Sequence, residues 1–318
     1  MEGRHTQRSR RVRAALAAAA AAALALGVAD ARTFTRVVVP SLDHDAAGAP
    51  IALQALLLIP DGPVPTGGYP AIVALHGCSG LYSTVKGREE RLGERLMVRA
   101  DMLLSEGYAL LFPDSFRARG RQEVCTIKAG EPSVPAAKRK LDALGALAYL
   151  AQRREIARDR IALVGWSHGG SATLAAINAR DRDVNAFRER PDAPPFFRAA
   201  VAFYPGCRVS LAAGERWETA VPTRIMIGAL DDWTPAKPCV DLGTAAAARG
   251  VPLKVTVFPG AQHGFDAPGA TVVHRTDVPN GVSPGQGVHV GADPVMREKA
   301  NAKLRAFLDE ALRGRPGD

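Results

Sequence analysis

A serine set between glycines is the first feature of this sequence that could do chemistry. The stretch reads Gly165-Trp166-Ser167-His168-Gly169-Gly170, after the apolar run Ile161–Val164 and before an Ala-rich helical pattern. Small residues two positions before and after the serine let strand and helix close on a strained turn, which exposes the hydroxyl. Gly and Ser are common, so the pattern alone is weak. Its strand–turn–helix context predicts that Ser167 is a nucleophile, and the alternative is an ordinary Gly-rich turn.

A serine hydroxyl needs a base to accept its proton, and we expect the base to be His263. In proteins with this serine turn, an acid and then a histidine follow the nucleophile along the chain. His168 lies inside the turn, and His274 and His289 lie in an irregular stretch with no strand to position them. His263 directly follows the last apolar strand pattern, where a loop can present a base. The alternative for His263 is a surface histidine.

Two adjacent carboxylates follow the preceding strand pattern, Arg224–Ile227, and either could be the acid. A carboxylate in this place fixes the imidazole tautomer and stabilises the imidazolium. We favour Asp231 and keep Asp232 as the alternative, because a shift of one residue redirects a side chain. The unused acid would then be a solvated or capping residue.

Backbone N–H groups are expected to form an oxyanion hole. One is the N–H of His168, because the residue after the nucleophile opens the helix. The other should come from the loop after the early strand Ala71–Leu75, and there we choose the N–H of Cys78. His76, which begins this loop, is interpreted as a structural residue that hydrogen-bonds beneath it.

Short apolar runs alternate with helical patterns along the rest of the chain. The predicted strands are Arg36–Val39, Leu53–Ile59, Ala71–Leu75, Tyr108–Phe112, Ile161–Val164, Ala199–Tyr204, Arg224–Ile227 and Leu253–Phe258. The predicted helices cover residues 88–106, 136–153, 168–179, 241–249 and 294–312. The alternation predicts the α/β class, with a mostly parallel central sheet and helices on both faces. No helix separates the first two strands, which predicts an antiparallel edge. Residues 180–198 and 264–291 fit no element and are expected to form lids or binding loops.

Four motifs together resemble the dienelactone hydrolase-like branch of the α/β hydrolases. They are the HGxxG loop at His76–Gly80, the GxSxGG turn at Gly165–Gly170, the GxxDxxxP loop at Gly228–Pro235 and the AxHGF loop at Ala261–Phe265. The resemblance covers roughly residues 50–312 and implies an α/β-hydrolase fold. It further implies a serine hydrolase that cleaves small carboxylic esters or lactones through an acyl-enzyme, without a cofactor or a metal. The GxxD register also favours Asp231 over Asp232.

The sequence departs from the dienelactone hydrolases proper at two places. Those enzymes use a cysteine nucleophile and a glutamate in the early loop, where this chain has Ser167 and Gly77-Cys78. The resemblance therefore does not imply dienelactone as the substrate, and it is stronger to the serine-using exported carboxylesterases of the group. One alternative is a serine peptidase of the prolyl-oligopeptidase type, which shares the GxSxGG turn, although no propeller precedes residue 50. Another is an exported binding protein without turnover.

The fold that the resemblance implies places the four cysteines after strands in two groups. We therefore expect the disulfides Cys78–Cys125 and Cys207–Cys239, each bracing a loop of the site. An even number of cysteines in an exported chain favours disulfides, although sequence alone allows three pairings. Three arginines, Arg117, Arg119 and Arg121, could meet an anionic substrate at the same sheet edge, or they could be solvated loop residues.

The first 31 residues have the three parts of a secretory signal peptide. A basic head precedes the Ala/Leu run Ala14–Val28, which is too short to span a membrane, and Ala29-Asp30-Ala31 supplies a cleavage motif. We expect residues 1–31 to be removed and residues 32–318 to form a single exported domain, periplasmic or secreted and not bound to a membrane. Removal lowers the net charge from +9 to about +6. The remaining basic residues are interleaved with acids, which argues against nucleic-acid binding. The sequence does not indicate an oligomeric state.

Overall fold

The computed structural model describes residues 34–128, 130–131 and 133–314. The expected signal peptide, residues 1–31, lies outside the described residues, so this expectation stays a prediction. Within the described part of the chain, no helix is both long enough and apolar enough to cross a membrane.

An eight-stranded sheet forms the centre, in the order β1-β2-β4-β3-β5-β6-β7-β8. Its strands are β1 (Thr35–His44), β2 (Pro50–Leu58), β3 (Tyr69–Leu75), β4 (Ala109–Pro113), β5 (Ile156–Trp166), β6 (Ala199–Phe203), β7 (Thr223–Gly228) and β8 (Leu253–Phe258). β2 pairs antiparallel with both β1 and β4, and every other pair is parallel. Every residue of β3, β4 and β6 is buried, as expected of strands covered on both faces. The predicted α/β-hydrolase class, with its antiparallel edge, is confirmed.

In the part of the chain that the structure describes, seven α-helices flank these strands or connect them. They are α1 (Glu94–Ser105), α2 (Ala136–Ala151), α3 (His168–Ala176), α4 (Arg182–Arg188), α5 (Arg208–Ala212), α6 (Ala236–Ala247) and α7 (Pro294–Arg313). α2 packs on α3, β1 and β5, whereas α7 packs on β5 and β6. The carboxyl ends of β5, β7 and β8 each lead into a loop at one edge of the sheet, because parallel strands end on the same side.

Two predicted helices differ from the observed ones in where they begin. The helix expected over 88–106 starts only at Glu94, because the residues before it form turns and an isolated bridge joins Tyr82 to Leu92. The helix expected over 241–249 already starts at Ala236. Pro238 lies in its first turn, where proline needs no N–H partner.

The two stretches expected to lack regular structure contain some, so that part of the prediction was wrong. Helix α4 lies within residues 180–198, and the Asp181 side chain caps it by accepting from the N–H groups of Asp183 and Val184. Residues 264–291 contain a two-stranded antiparallel sheet of β9 (Val272–Arg275) and β10 (Val288–Gly291). His274 and His289 are directly opposite each other in this sheet, so strands do position them.

Candidate active site

Three loops at one edge of the sheet bring Ser167, Asp231 and His263 together. Ser167 follows β5, Asp231 follows β7 and His263 follows β8. His263 Nε2 lies 2.9 Å from Ser167 Oγ, and His263 Nδ1 lies 2.8 Å from Asp231 Oδ2. A carboxylate accepts at Nδ1–H, which leaves Nε2 of the neutral ring to accept the serine proton. The arrangement has the connectivity of a nucleophile, a base and an orienting acid.

The backbone of Ser167 is strained, with φ 54° and ψ −117°. This region is disfavoured for residues other than glycine, and such strain persists only where the surroundings enforce it. A Cβ atom at Gly165 would collide with the Gly169 carbonyl, and one at Gly169 would collide with the carbonyls of Leu75 and His76. The glycines of the motif thus allow β5, β3 and α3 to approach closely enough to hold the serine turn.

Local hydrogen bonds fix the Asp231 carboxylate. Its Oδ1 accepts from the N–H groups of Trp233 at 3.0 Å and Thr234 at 2.7 Å. The Thr234 hydroxyl lies 3.0 Å from Asp231 Oδ2, 2.9 Å from the Tyr204 carbonyl and 3.1 Å from His263 Nδ1. Sequence reasoning did not single out Thr234, because nothing in its type or spacing marks a hydroxyl that touches both acid and base.

Asp232, the alternative acid, contacts a different residue, His289. Its Oδ1 accepts from the His289 N–H at 2.8 Å, and its Oδ2 lies 2.6 Å from His289 Nδ1. Asp232 therefore ties the loop after β7 to strand β10. Of the two adjacent acids, only Asp231 contacts His263.

The segments expected to supply oxyanion donors lie beside Ser167. A Cβ added to Gly77 would be 3.7 Å from Ser167 Cβ, which places the loop of Cys78 against the serine. His168 is the first residue of α3, so its N–H is one of those that a helix start leaves without an intrahelical partner. The positive end of the helix also favours negative charge at this point.

A buried arginine that sequence reasoning missed connects these two segments. Arg139, on α2, is fully buried. It donates from Nη1 to His168 Nδ1 at 2.9 Å and from Nη2 to the His76 carbonyl at 2.8 Å. Burial lowers the pKa of Arg139 to about 10, which still leaves it charged near neutral pH. One side chain thus holds both the start of α3 and the loop after β3.

The two histidines next to this arginine are held neutral. A guanidinium can only donate, so His168 Nδ1 accepts, and burial beside Arg139 lowers the pKa of His168 to about 3. Burial, together with the charge of Arg139, also lowers the pKa of His76 well below its usual value. His76 Nδ1–H donates to the Gly77 carbonyl at 2.8 Å, while its Nε2 accepts from Ser115 N–H at 3.3 Å. These contacts match the structural role expected for His76.

A second buried network supports the loop that carries His263. Arg99 donates to both carboxylate oxygens of Asp266, at 2.8 and 2.6 Å, and to the Tyr204 hydroxyl at 2.9 Å. Asp266 also accepts from the Tyr204 hydroxyl at 2.7 Å and from Trp166 Nε1 at 2.9 Å. The Tyr204 ring packs edge-on against His263, with centroids 4.6 Å apart. Because Asp266 lies three residues after His263, the network restrains the loop that carries both residues. No sequence signal indicated these partners.

The four cysteines form two disulfides, Cys78–Cys125 and Cys207–Cys239. These are the two pairs expected from the family resemblance. The first closes a loop of 47 residues and joins the segment after β4 to the loop of Cys78, whose carbonyl also accepts from Val124 N–H at 2.8 Å. The second joins the segment after β6 to α6. Disulfides persist in oxidising compartments, which suggests an extracellular or periplasmic protein.

Two of the three candidate arginines form ion pairs with other residues of the protein and do not line the cavities at Ser167. Arg119 pairs with Asp43 at 2.9 Å and with Asp142 at 2.8 Å. Arg117 pairs with Glu90 at 3.0 Å and lies over the Tyr82 ring. Neither lines a cavity that contains Ser167.

Ser167 lies between two cavities, which we name by their neighbours. The serine cavity, of about 350 Å³, is lined by Cys78, Val124, Cys125, Ile127, Lys128, Gly130, Glu131, Ser133, Ser167, His168, Ser171, Trp233, Thr234 and Asn280. The histidine pocket, of about 80 Å³, also contains Ser167 and includes His263, Tyr204 and the arginines Arg95, Arg99 and Arg275. Within the described residues, no cluster of three or more His, Cys, Asp or Glu side chains could hold a metal ion.

Solved structures with similar folds include hydrolases of several kinds. A protein assigned as a dienelactone hydrolase, from Klebsiella pneumoniae, has a TM-score of 0.59 at 14% identity over 87% of this chain and 99% of its own. Native esterase 2 of Thermogutta terrifontis has a TM-score of 0.57 at 16% identity, over 88% of this chain and 94% of its own. Dipeptidyl peptidase 4 of Porphyromonas gingivalis has a TM-score of 0.56 at 15% identity, over 88% of this chain and 36% of its own. At these identities the likeness concerns the fold alone.

Sequence comparison identifies the family. No curated protein matches the chain significantly. The sequence profile of the dienelactone hydrolase family matches residues 53–312, which is most of the chain and includes all three strand ends described above. The chain therefore belongs to the dienelactone hydrolase family, a family of hydrolases.

Proposed function

We propose that this protein is a serine hydrolase that cleaves carboxylic esters or lactones through an acyl-enzyme. The observation that carries the proposal is the continuous pair of contacts from Ser167 Oγ to His263 Nε2, at 2.9 Å, and from His263 Nδ1 to Asp231 Oδ2, at 2.8 Å. Hydrogen-bonded contacts of this length let a base remove a hydroxyl proton while the acid stabilises the resulting imidazolium.

In the first half of the reaction, Ser167 Oγ attacks the ester carbonyl carbon and His263 Nε2 takes its proton. The carbonyl oxygen becomes an oxyanion, which the N–H groups of Cys78 and His168 stabilise. His263 then gives the proton to the leaving alcohol oxygen as the tetrahedral intermediate collapses. In the second half, water loses a proton to His263 and attacks the acyl group, and Ser167 is released with its proton restored. Each hydrogen-bond donor to the oxyanion typically stabilises the transition state by about 3 kcal/mol.

The serine distinguishes this site from that of the dienelactone hydrolases proper. A hydroxyl is a much weaker acid than a thiol, so it depends on the neighbouring base for its reactivity. The buried Asp231 and the network around Arg99 and Asp266 support this requirement, because they restrain the base. The family resemblance therefore supports ester or lactone hydrolysis, not dienelactone as the particular substrate.

Turnover of p-nitrophenyl acetate by the wild type and by Ser167→Ala tests the proposal. We expect the wild type to release p-nitrophenol and Ser167→Ala to lose at least a thousandfold in kcat, because removal of a triad member leaves only the oxyanion hole and binding. Ser105→Ala is a matched control, since Ser105 is an exposed serine at the end of α1 and lines neither cavity that contains Ser167. Equal turnover by the wild type and Ser167→Ala would contradict the assignment.

We also propose that the protein is exported after cleavage behind Ala31. The basic and apolar pattern of residues 1–31 and the two disulfides support export. Expression of the full chain with mass measurement of the protein outside the cytoplasm tests this. A mature N-terminus at Arg32 is expected, and retention of residues 1–31 on the exported chain would contradict it.

A further inference from the structure

A third cavity, the apolar cavity, adjoins the serine cavity. Its volume is about 630 Å³. The apolar part of its wall consists of Pro135, Ala136, Ala137, Ala175, Cys207, Val209, Ala213, Trp217, Trp233, Pro235 and Pro238. Five residues line both cavities: His168, Ser171, Trp233, Thr234 and Asn280. A molecule bound at Ser167 can therefore extend past these shared residues into a large apolar space.

Most polar groups on this wall have partners within the protein, although the exposed Arg208 and the buried Ser210 have no side-chain hydrogen-bond partner among the described residues. Ser171 Oγ accepts from Gly206 N–H at 2.8 Å, and the Asn280 amide donates to the Ile127 carbonyl at 2.8 Å. Lys140, in the same wall, pairs with Asp181 at 2.6 Å. A wall that is largely apolar and whose polar groups are mostly satisfied gains most from an occupant that buries apolar surface.

The position of His263 determines which part of an ester can lie there. A general acid must be within hydrogen-bond reach of the leaving oxygen, so the alcohol leaves through the cavity that His263 lines. His263 lines the histidine pocket but neither the serine cavity nor the apolar cavity. The histidine pocket is the smallest of the three, at about 80 Å³. The alcohol is thus assigned to a small pocket, and the acyl group to the opposite side.

We propose that the apolar cavity binds the acyl chain, so that the natural substrates are esters of extended apolar acids with small alcohols. This inference rests on the proposed function, because it requires that Ser167 Oγ is the atom that is acylated. Val209, on α5, lines the cavity and is 82% exposed, so an occupant of the cavity would bury apolar surface of this side chain. The Cys207–Cys239 disulfide joins Cys207, which lines the cavity directly before α5, to α6.

Two series of esters test the assignment. One series varies the length of the acid and the other varies the length of the alcohol. In the first, ethanol is constant and the acid lengthens from acetate to octanoate. In the second, acetate is constant and the alcohol lengthens from ethanol to octanol. Burial of a methylene group can raise kcat/KM by up to about fourfold, and we expect at least a tenfold rise across the first series. We expect no rise across the second, because the histidine pocket cannot hold the longer alcohols.

A substitution in the wall supplies a second readout. Val209→Trp should fill part of the cavity and lower the ratio of kcat/KM for ethyl octanoate to that for ethyl acetate at least tenfold. Val295→Trp is the matched control, because Val295 is also an exposed helical valine, at 59%, and lines none of the three cavities. The control should leave the ratio unchanged.

The outcomes separate this inference from the proposed function. If ethyl acetate is hydrolysed in a Ser167-dependent reaction but kcat/KM does not rise with acid length, or rises with alcohol length instead, the acyl assignment is wrong and the proposed function stands. An unchanged ratio in Val209→Trp has the same meaning. If the wild type hydrolyses no ester of either series, the proposed function fails and the acyl assignment fails with it.

Discussion

Arg139 Nη1 donates to His168 Nδ1 at 2.9 Å, although the two residues are on different helices. The same guanidinium reaches the His76 carbonyl from its other nitrogen. Two segments far apart in sequence, each expected to supply one oxyanion donor, are therefore held at a fixed separation by one buried side chain. This makes Arg139 a positioning residue for the proposed oxyanion hole.

Replacement of Arg139 should lower kcat and leave KM nearly unchanged. Arg139→Met removes both hydrogen bonds, and we expect a loss of about 10- to 100-fold in kcat, less than the loss of a whole donor. Arg139→Lys keeps one bond and should recover part of the rate. Steady-state kinetics with p-nitrophenyl acetate measures this, with thermal unfolding to verify that both variants fold. Arg153→Met, which removes pairing with Glu155 far from the site, is the control. A folded Arg139→Met with wild-type kcat would refute the positioning role.

The two adjacent acids should differ sharply in their effect on catalysis. Asp231→Asn removes the carboxylate that holds His263 Nδ1, and we expect kcat to fall by roughly 10⁴-fold, as when a triad loses its orienting charge. Asp232→Asn alters only the contact with His289 and should cost less than about threefold. The pH dependence of kcat should change in Asp231→Asn and should stay as in the wild type in Asp232→Asn. Comparable losses in the two variants would mean that the acid assignment is wrong.

The two disulfides should stabilise the fold by similar amounts but differ in their effect on the reaction. They close loops of 47 and 32 residues, for which chain entropy predicts about 3–4 kcal/mol each. The double variants Cys78→Ala/Cys125→Ala and Cys207→Ala/Cys239→Ala should therefore lose similar free energies of unfolding in urea. Only the first should also lower kcat for a short ester, because it frees the loop of Cys78. If both variants retain full kcat, the first disulfide does not brace the site.

Stability should fall on acidification, partly because His168 and His76 are held neutral. Their folded pKa values lie below the ordinary value of 6.5. Below pH 6.5 the unfolded chain therefore binds more protons than the folded chain, and stability decreases as the pH falls, down to about 3 for His168. Each histidine contributes a slope of up to about 1.4 kcal/mol per pH unit.

The variant His168→Asn isolates one of these contributions. Its side-chain carbonyl can still accept from Arg139, but it does not titrate. Urea unfolding at pH 7, 6, 5 and 4.5 should show a shallower decline for His168→Asn than for the wild type. Parallel declines in the two proteins would show that His168 takes up a proton as readily in the folded state as in the unfolded one.

Sequence patterns were sufficient to predict that Ser167, Asp231 and His263 lie together, because each follows an apolar strand and parallel strands end at one edge. The side chains that support them were not predictable in this way. Arg139 and Arg99 lie on helices whose apolar spacing gives no sign that an arginine points inward, and their partners come from distant loops. Thr234 was missed because neither its residue type nor its spacing indicates a hydroxyl that contacts both Asp231 and His263.

The β9–β10 sheet was missed because its strands are four residues each and lie within a Gly- and Pro-rich stretch. Such short strands carry too few residues for an alternating pattern to stand out. Their stability comes from tertiary contacts, including the pairing of His263 with Val290 and the bonds from His289 to Asp232. The hairpin therefore lies against both the histidine loop and the acid loop, which a reading of local pattern cannot show.

If Ser167 is the nucleophile, it carries the acyl group during turnover, and that intermediate can be trapped. Wild-type protein mixed with p-nitrophenyl acetate, quenched in acid within the first turnovers and digested, should yield the peptide containing Ser167 with one added acetyl group. Ser167→Ala should yield no acetylated peptide from this region. Rapid hydrolysis by the wild type with no acetyl group on Ser167, or with an acetyl group on another residue, would rule out Ser167 as the nucleophile.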